Sequence, residues 1–204
     1  MKCPKCKTEN EADAIYCSNC SNPLKKLVKA REDKKHTIFI SHAEADKKIV
    51  ADFCELLQLI LCPHPFEYAI FCSSEIGCIE CGKDSNHTIH TNLNLCKNVF
   101  CILTNDSYDR PWVMYEIGYA KGKSSKKNLM PIAIGIDINK IKNGYPYSKF
   151  NIYECDEQHL SSLMIELLNN ISPNSCNGKK DVMKKSFAPH IKKFLNKQKN
   201  NLQI

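Results

Sequence analysis

Residues 98–120 read NVFCILTNDSYDRPWVMYEIGYA, a strongly apolar run followed by a segment with the composition of a helix start. The run 98–104 predicts a buried strand, and residues 111–122 predict a helix. In open α/β sheets, ligands bind in the crevice beyond the carboxyl ends of the strands. Glu116 lies one helical turn after Trp112, and a carboxylate near an aromatic ring at this place suits a cationic, planar substrate. The alternative is a surface glutamate that complements the dipole at the start of its helix.

Strands and helices alternate along the rest of the main segment. The predicted strands are 37–40, 68–72, 98–104, 129–134 and 151–153, and the predicted helices are 49–61, 84–96, 111–122 and 160–171. This alternation predicts a parallel sheet with helices on both faces. Ser41 and Glu44 have capping-box spacing before the first helix, and Pro131 predicts an edge or a bulge in the fourth strand. No glycine-rich phosphate loop follows the first strand, so neither a Rossmann nor a Walker site is supported.

Length and cysteine content favour a protein of the reducing cytoplasm. The chain has 204 residues, enough for one well-packed α/β domain and a small appendage. We find no apolar stretch long enough to span a bilayer and no signal-peptide pattern at the N-terminus, so we predict a cytoplasmic protein without membrane contact. Thirteen cysteines in such a chain are expected as reduced thiols or metal ligands.

The net charge of +7 is concentrated at one end of the sequence. Residues 179–204 contain eight lysines and one aspartate, so residues 1–178 sum to zero. A solvated lysine-rich tail explains this excess better than attraction to nucleic acid or anionic lipid. Phe187, Ile191 and Phe194 recur at helical spacing, so we predict a basic C-terminal tail, 172–204, that is partly helical.

Two closely spaced cysteine pairs stand at the N-terminus, Cys3 with Cys6 and Cys17 with Cys20. Four thiolates in two Cys-x2-Cys pairs suit a tetrahedral zinc ion, and four protein ligands make the site structural rather than catalytic. A thioredoxin-like redox pair needs a strand–helix context that is absent here. Residues 1–24 resemble short zinc-ribbon modules, in which glycine often follows each cysteine pair; Lys7 and Ser21 stand there instead. We predict a four-cysteine zinc ribbon at 1–24 and a linker at 25–35.

An ordered series of short motifs resembles bacterial TIR (Toll/interleukin-1 receptor) domains. The series is Phe39-Ile40-Ser41-His42-Ala43-Glu44-Ala45-Asp46, Ile70-Phe71-Cys72-Ser73-Ser74 with Ile76-Gly77, Gly82-Lys83-Asp84, Val99 to Asn105, Trp112 with Glu116, and Pro131-Ile132. The resemblance covers residues 36–171 and implies a flavodoxin-like fold with a five-stranded parallel sheet. In many members of the family it also implies cleavage of the nicotinamide–ribose bond of NAD+.

Site roles follow from the resemblance by position. Glu116 would be the catalytic glutamate. The residues that would line the NAD+ pocket are Phe39, Ser41, His42, Ser73 and Trp112. Lys83 and Arg110 are candidates for the cation that family members often place near the pocket.

Three functions remain open at this point. The first is an NAD+ nucleosidase or cyclase of bacterial anti-phage immunity, whose product is ADP-ribose or a cyclic isomer read by a partner effector. The second is a non-enzymatic adaptor that acts through TIR–TIR assembly, and self-association is expected for both. The third is a nucleic-acid-binding regulator that uses the zinc ribbon and the lysine tail; the neutral main domain argues against it.

Overall fold

The structure is a computed structural model that describes residues 2, 6–9, 36–64, 67–73, 85–123, 127–143, 147–173 and 175–202. The chain divides into two compact units, Met1–Lys35 and His36–Ile204. Most of the predicted zinc ribbon and all of the predicted linker lie outside the described residues.

The second unit is an α/β fold with five parallel strands, as predicted. The strands are β1 (His36–Ser41), β2 (Tyr68–Cys72), β3 (Asn98–Leu103), β4 (Asn128–Ala133) and β5 (Tyr153–Glu154). The helices are α1 (Lys47–Leu61), α2 (Ser85–Leu95), α3 (Pro111–Lys123), α4 (Ile138–Lys142), α5 (Glu157–Ile171) and α6 (Lys180–Leu202). The sheet order is β2-β1-β3-β4-β5, the doubly wound order of flavodoxin-like folds.

Strand β3 is the centre of the sheet. All six of its residues are buried, and it pairs in parallel with β1 on one side and β4 on the other. A strand covered on both faces carries a continuous apolar run rather than an alternating one, which is why Val99 to Leu103 is so apolar.

Two separate apolar layers cover the two faces of the sheet. One contains the buried faces of α1, α5 and α6, including Phe53, Leu167 and Phe194. The other contains those of α2, α3 and α4, including Leu93 and Ile117. Helices therefore lie on both faces, as the alternation of strands and helices predicts.

Strand β5 is shorter than predicted, and this explains the proline in β4. The sequence predicts β5 at 151–153, whereas the structure places it at Tyr153–Glu154. It pairs only with Ile132 and Ala133. Because β5 pairs with it, β4 is not an edge strand. Pro131 lies before the two β4 residues that pair with β5, so the N–H that proline lacks is not needed for a hydrogen bond to β5.

The predicted capping box is wrong. A short 3-10 turn, Glu44–Asp46, precedes α1, and its N-cap residue Ala43 makes no side-chain hydrogen bond. Ser41 instead ends β1, and its hydroxyl bonds elsewhere. A side-chain cap does start α5, where Asp156 accepts a hydrogen bond from the backbone N–H of His159, which satisfies a donor in the first turn.

Helix α6 spans 23 residues within the segment 172–204, which the sequence predicts to be a basic, partly helical tail. Its residues Phe187, Ile191 and Phe194 are buried in the same apolar layer as α1 and α5. The rings of Phe194 and Phe53 meet edge to face with centroids 5.9 Å apart. The helix is therefore held by core contacts, not only by charge.

Ion pairs set the position of α6 along α1. Lys193 and Lys197 bond to Glu55, each at 2.6 Å, and Lys197 also bonds to Asp52 at 2.8 Å. These hydrogen bonds lower the pKa of Glu55 to about 2. Exposed pairs of this kind contribute little to stability. They therefore align α6 with α1, whereas the apolar contacts supply most of the free energy that holds α6 in place.

Within the first unit, Lys2 and Glu9 form an antiparallel bridge on either side of Cys6. Lys7 has φ +63°, the left-handed conformation that glycine adopts most easily.

None of the helices in the described part of the chain is long and apolar enough to cross a membrane.

Replacing Phe194 with alanine should destabilise the second unit substantially. The side chain is 3% exposed, and truncating a buried phenylalanine costs about 3–5 kcal/mol. Denaturant unfolding of the full chain measures this loss. Val182→Ala on the same helix, at a side chain 69% exposed, is the control and should change stability by less than about 0.5 kcal/mol. Equal effects of the two substitutions would contradict the packing of α6.

Candidate active site

Helix α3 carries Glu116 into the interior at the carboxyl ends of β1 and β3. Val113, Ile117 and Ala120 form its buried stripe, and Glu116 shares that side of the helix. Glu116 is 0% exposed. The Ser41 hydroxyl donates a hydrogen bond of 2.5 Å to Glu116 Oε2, whereas Oε1 has no partner among the described residues.

Burial makes this carboxyl group a weak acid. It raises the pKa of Glu116 from 4.5 to about 7, although the nearby Ser41, Ser73 and Trp112 act in the opposite direction. The Ser73 hydroxyl is close enough to lower this pKa, yet it completes no hydrogen bond within the described residues. A carboxylate with one bonded oxygen and one unsatisfied oxygen is poorly solvated, and such groups concentrate at functional sites.

A cavity of about 440 Å³ lies beside Glu116, within the usual range for small-molecule sites. Its lining consists of His42, Ala43, Glu44, Ala45, Ser73, Arg110, Trp112 and Val113. Ser73 and Trp112 both line this cavity and neighbour Glu116, but Glu116 does not line it. These two side chains therefore connect the surroundings of the carboxyl group with the lining of the cavity.

The structure brings together most of the residues that the resemblance assigns to the pocket. His42 lines the cavity, and its Nδ1 lies 3.2 Å from the Ile40 carbonyl oxygen, a contact that orients the ring. Phe39 differs, because it is fully buried and stacks on Phe71 with ring centroids 5.3 Å apart. It supports the sheet beneath the site rather than lining the cavity.

Of the two candidate cations, Arg110 lines the cavity. Lys83 lies outside the described residues, as do three of the four predicted zinc ligands, Cys3, Cys17 and Cys20. Cys6 is described and half-buried, and its thiol lies 3.2 Å from the Thr8 hydroxyl. No group of three or more metal-binding side chains comes together within the described ranges.

A polar cluster that sequence reasoning missed connects two loops at this end of the sheet. Thr104 donates to Asp46 Oδ1 at 2.9 Å, and the Thr104 N–H donates to the Ser107 hydroxyl at 2.9 Å. Burial raises the pKa of Asp46, which is 2% exposed. The cluster holds the turn before α1 against the loop before α3. The sequence signal was present, since Thr104 and Ser107 follow β3 directly, but their partner is 58 positions away.

The raised pKa of Glu116 should make stability depend on pH. Because the folded-state value of about 7 exceeds the ordinary 4.5, the protonated form is favoured on folding, and stability declines as pH rises toward and through 7. In wild-type protein, ionisation of Glu116 should lower the free energy of unfolding by about 2–3 kcal/mol between about pH 5 and about pH 8, and Glu116→Gln should lack this decrease. Urea unfolding at the two pH values measures it.

The control for this measurement is Glu154→Gln, at an exposed side chain whose carboxylate water can hydrate. It should keep the wild-type pH dependence. If Glu116→Gln showed the same pH dependence as wild type, the carboxyl group would not be buried in solution.

Comparison with known families agrees with the fold. The TIR domain family matches residues 38–164, more than half of the chain and the segment from β1 into α5. No curated protein shows significant similarity to the chain. TIR domains include NAD+-cleaving enzymes, and they commonly self-associate. The chain belongs to the TIR domain family.

Proposed function

We propose that this chain is an NAD+ nucleosidase or cyclase that breaks the bond between nicotinamide and ribose. The observation that carries the proposal is the buried carboxyl group of Glu116, whose Oε1 has no hydrogen-bond partner in the part of the chain that the structure describes, beside a cavity of about 440 Å³. A folded protein keeps such a group at a cost in stability. A catalytic role explains why this cost is retained.

One carboxylate suffices for this reaction because nicotinamide leaves as a neutral molecule. Most glycosidases need a second carboxylic acid to protonate the departing oxygen, and no such acid is required here. The transition state carries a developing positive charge on the ribose. A fixed carboxylate lowers the barrier by stabilising that charge more strongly than it stabilises the substrate.

The pKa of about 7 for Glu116 leaves the group divided between its two forms near neutral pH. A bound substrate with a positively charged pyridinium ring favours the ionised form. Access requires a local rearrangement, because Glu116 is 0% exposed and does not line the cavity. Ser41 holds the second carboxylate oxygen and so keeps the group oriented.

The nucleophile that captures the ribose determines the product. Water gives ADP-ribose, whereas the adenine or a ribose hydroxyl of the same molecule gives a cyclic isomer; capture by water or by a hydroxyl forms the new C–O bond and releases the O–H proton. We propose that the chain acts in bacterial anti-phage immunity, either by depleting NAD+ or by producing a cyclic signal that a partner effector reads.

A second function, assembly without catalysis, is favoured by one observation. Glu116 is 0% exposed, so in this conformation the carboxyl group is closed to substrate. A TIR domain that never opens this site would act as an adaptor through association with other TIR domains. Product analysis separates the two functions.

We expect wild-type protein at high concentration to release nicotinamide from NAD+, and Glu116→Gln to slow this at least about a hundredfold, since the developing charge loses its counterion. Chromatography that separates nicotinamide, ADP-ribose and cyclic isomers measures both rate and product. Glu154→Gln, an exposed carboxylate on β5, is the matched control. Unchanged cleavage by Glu116→Gln would exclude this mechanism. No cleavage by assembled wild-type protein would favour the adaptor.

We also propose that Cys3, Cys6, Cys17 and Cys20 hold a structural zinc ion. Lys2 and Glu9, which flank Cys6 in the sequence, form an antiparallel bridge, and Lys7 has the left-handed conformation that suits a tight turn after a cysteine pair. Both features fit a metal-binding loop. A bound zinc ion would supply folding free energy to this short segment and leave no position for substrate.

The purified full chain should contain about one zinc ion, measured by elemental analysis, because four thiolates complete a tetrahedral site. Cys6→Ser should lose most of this zinc, and a strong chelator should remove it from wild-type protein. Cys62→Ser, which changes an exposed thiol of the second unit, should retain it. Equal zinc content in both variants would rule out Cys6 as a ligand.

A further inference from the structure

Four rings form a continuous aromatic surface on α2 and α3, which we name the aromatic strip: His90, Trp112, Tyr115 and Tyr119. Trp112 stacks on Tyr115 with ring centroids 5.3 Å apart. His90 stacks on Tyr119 at 4.3 Å with planes 8° apart, and it lies 5.7 Å from Tyr115. The four rings therefore make one contiguous surface rather than four separate contacts.

The spacing of α3 explains this alignment. Positions 112, 115 and 119 follow one another at i, i+3 and i+7, so they lie along one flank of the helix. The buried stripe of Val113, Ile117 and Ala120 faces the sheet. Trp112 is 40% exposed and Tyr115 43% exposed. Adjacent exposed aromatic rings are typical of binding surfaces.

Hydrogen bonds hold the rings of the strip in place. The Tyr115 hydroxyl and His90 Nε2 bond to each other, and the Tyr119 hydroxyl donates to Asn94 Oδ1 at 3.3 Å. Rings that are already oriented lose little conformational freedom when a ligand stacks on them. The strip is thus preorganised.

The strip is continuous with the candidate active site. Trp112 both lines the cavity and stacks on Tyr115. One cation lines the cavity and another lies beside the strip. Arg110 lines the cavity, and Lys123 Nζ lies 5.5 Å from the centre of the Tyr119 ring. Aromatic faces next to cations suit a flat base that carries phosphate groups.

We propose that the aromatic strip binds the adenine ring of the dinucleotide, with Trp112 and Tyr115 as its stacking platform. This inference rests on the proposed function, because it assigns the nicotinamide end to the cavity beside Glu116. A dinucleotide has a base at each end of a diphosphate. The cavity and the adjoining strip offer one site for each half, and Arg110 lines the cavity.

Binding can be tested without catalysis, because Trp112 is the single tryptophan of the chain and its fluorescence reports on the strip. We expect AMP, which lacks nicotinamide, to quench this emission saturably. Tyr115→Ala should weaken AMP binding about 5- to 100-fold, the range expected for loss of one base–aromatic stack. Tyr115→Phe keeps the ring and should retain most of the affinity. Leu59→Ala, at a side chain 39% exposed on α1, is the surface control.

Substrate choice gives the second arm of the test. Nicotinamide mononucleotide has the scissile bond but no adenosine. Tyr115→Ala should therefore lower the ratio of kcat/KM for NAD+ to kcat/KM for nicotinamide mononucleotide about 5- to 100-fold. If kcat/KM fell equally for both substrates, the strip would act in folding or in contact with a protein partner, and the inference would be overturned.

The two arms keep the inference distinct from the proposed function. If AMP does not quench the fluorescence of a chain that cleaves NAD+, the inference that the aromatic strip binds adenine is overturned, while the proposed activity stands. Quenching that Tyr115→Ala weakens, in a chain that cleaves nothing, supports the strip as an adenine site and removes the proposed activity.

Discussion

The hydrogen bond from Ser41 to Glu116 joins the end of β1 to the helix that follows β3, and the candidate site is organised around it. A carboxyl group at 0% exposure is costly to ionise, and this bond, together with the nearby Ser73 and Trp112, offsets only part of that cost. The remaining imbalance raises the pKa of Glu116 to about 7. Because the carboxyl group is so poorly solvated, a positive charge placed beside it strongly favours the ionised form.

The same bond depends on a sheet that is covered on both faces. Parallel strands bring their carboxyl ends to one edge, and there the loops after β1 and β3 meet. The Asp46–Thr104 hydrogen bond fixes one loop against the other. Below them, Phe39 and Phe71 stack within the sheet. Rigid strands thus hold the polar groups of the site, whereas the aromatic strip extends it over the surface of α3.

Helix α6 adds a layer beyond the part of the chain that matches the TIR domain family, which ends at residue 164. It covers α1 and α5 with three buried apolar side chains and leaves most of its lysines in solvent. This arrangement explains a tail that is both strongly basic and periodic in its apolar residues. The charged face keeps the helix hydrated while the apolar face completes the core.

Much of the architecture was determined by the sequence alone, because burial on both faces of a sheet and on one face of a helix leaves different apolar periods. Those periods predicted the five strands, the helices on both faces and the apolar stripe of α6. They also placed Glu116 near the carboxyl ends of the strands. The position of the short β5 was predicted less well, since a strand of two residues is too short to show an alternating apolar pattern.

Only the tertiary structure decided how the polar groups are used. The Ser41 hydroxyl, expected from local spacing to cap a helix, bonds instead to a residue 75 positions away. The stacking of His90 on Tyr119 likewise joins two helices that no local pattern connects. Such contacts depend on how the whole chain packs. For that reason the sequence could propose residues for the candidate site, while their pairing, burial and pKa values came from the fold.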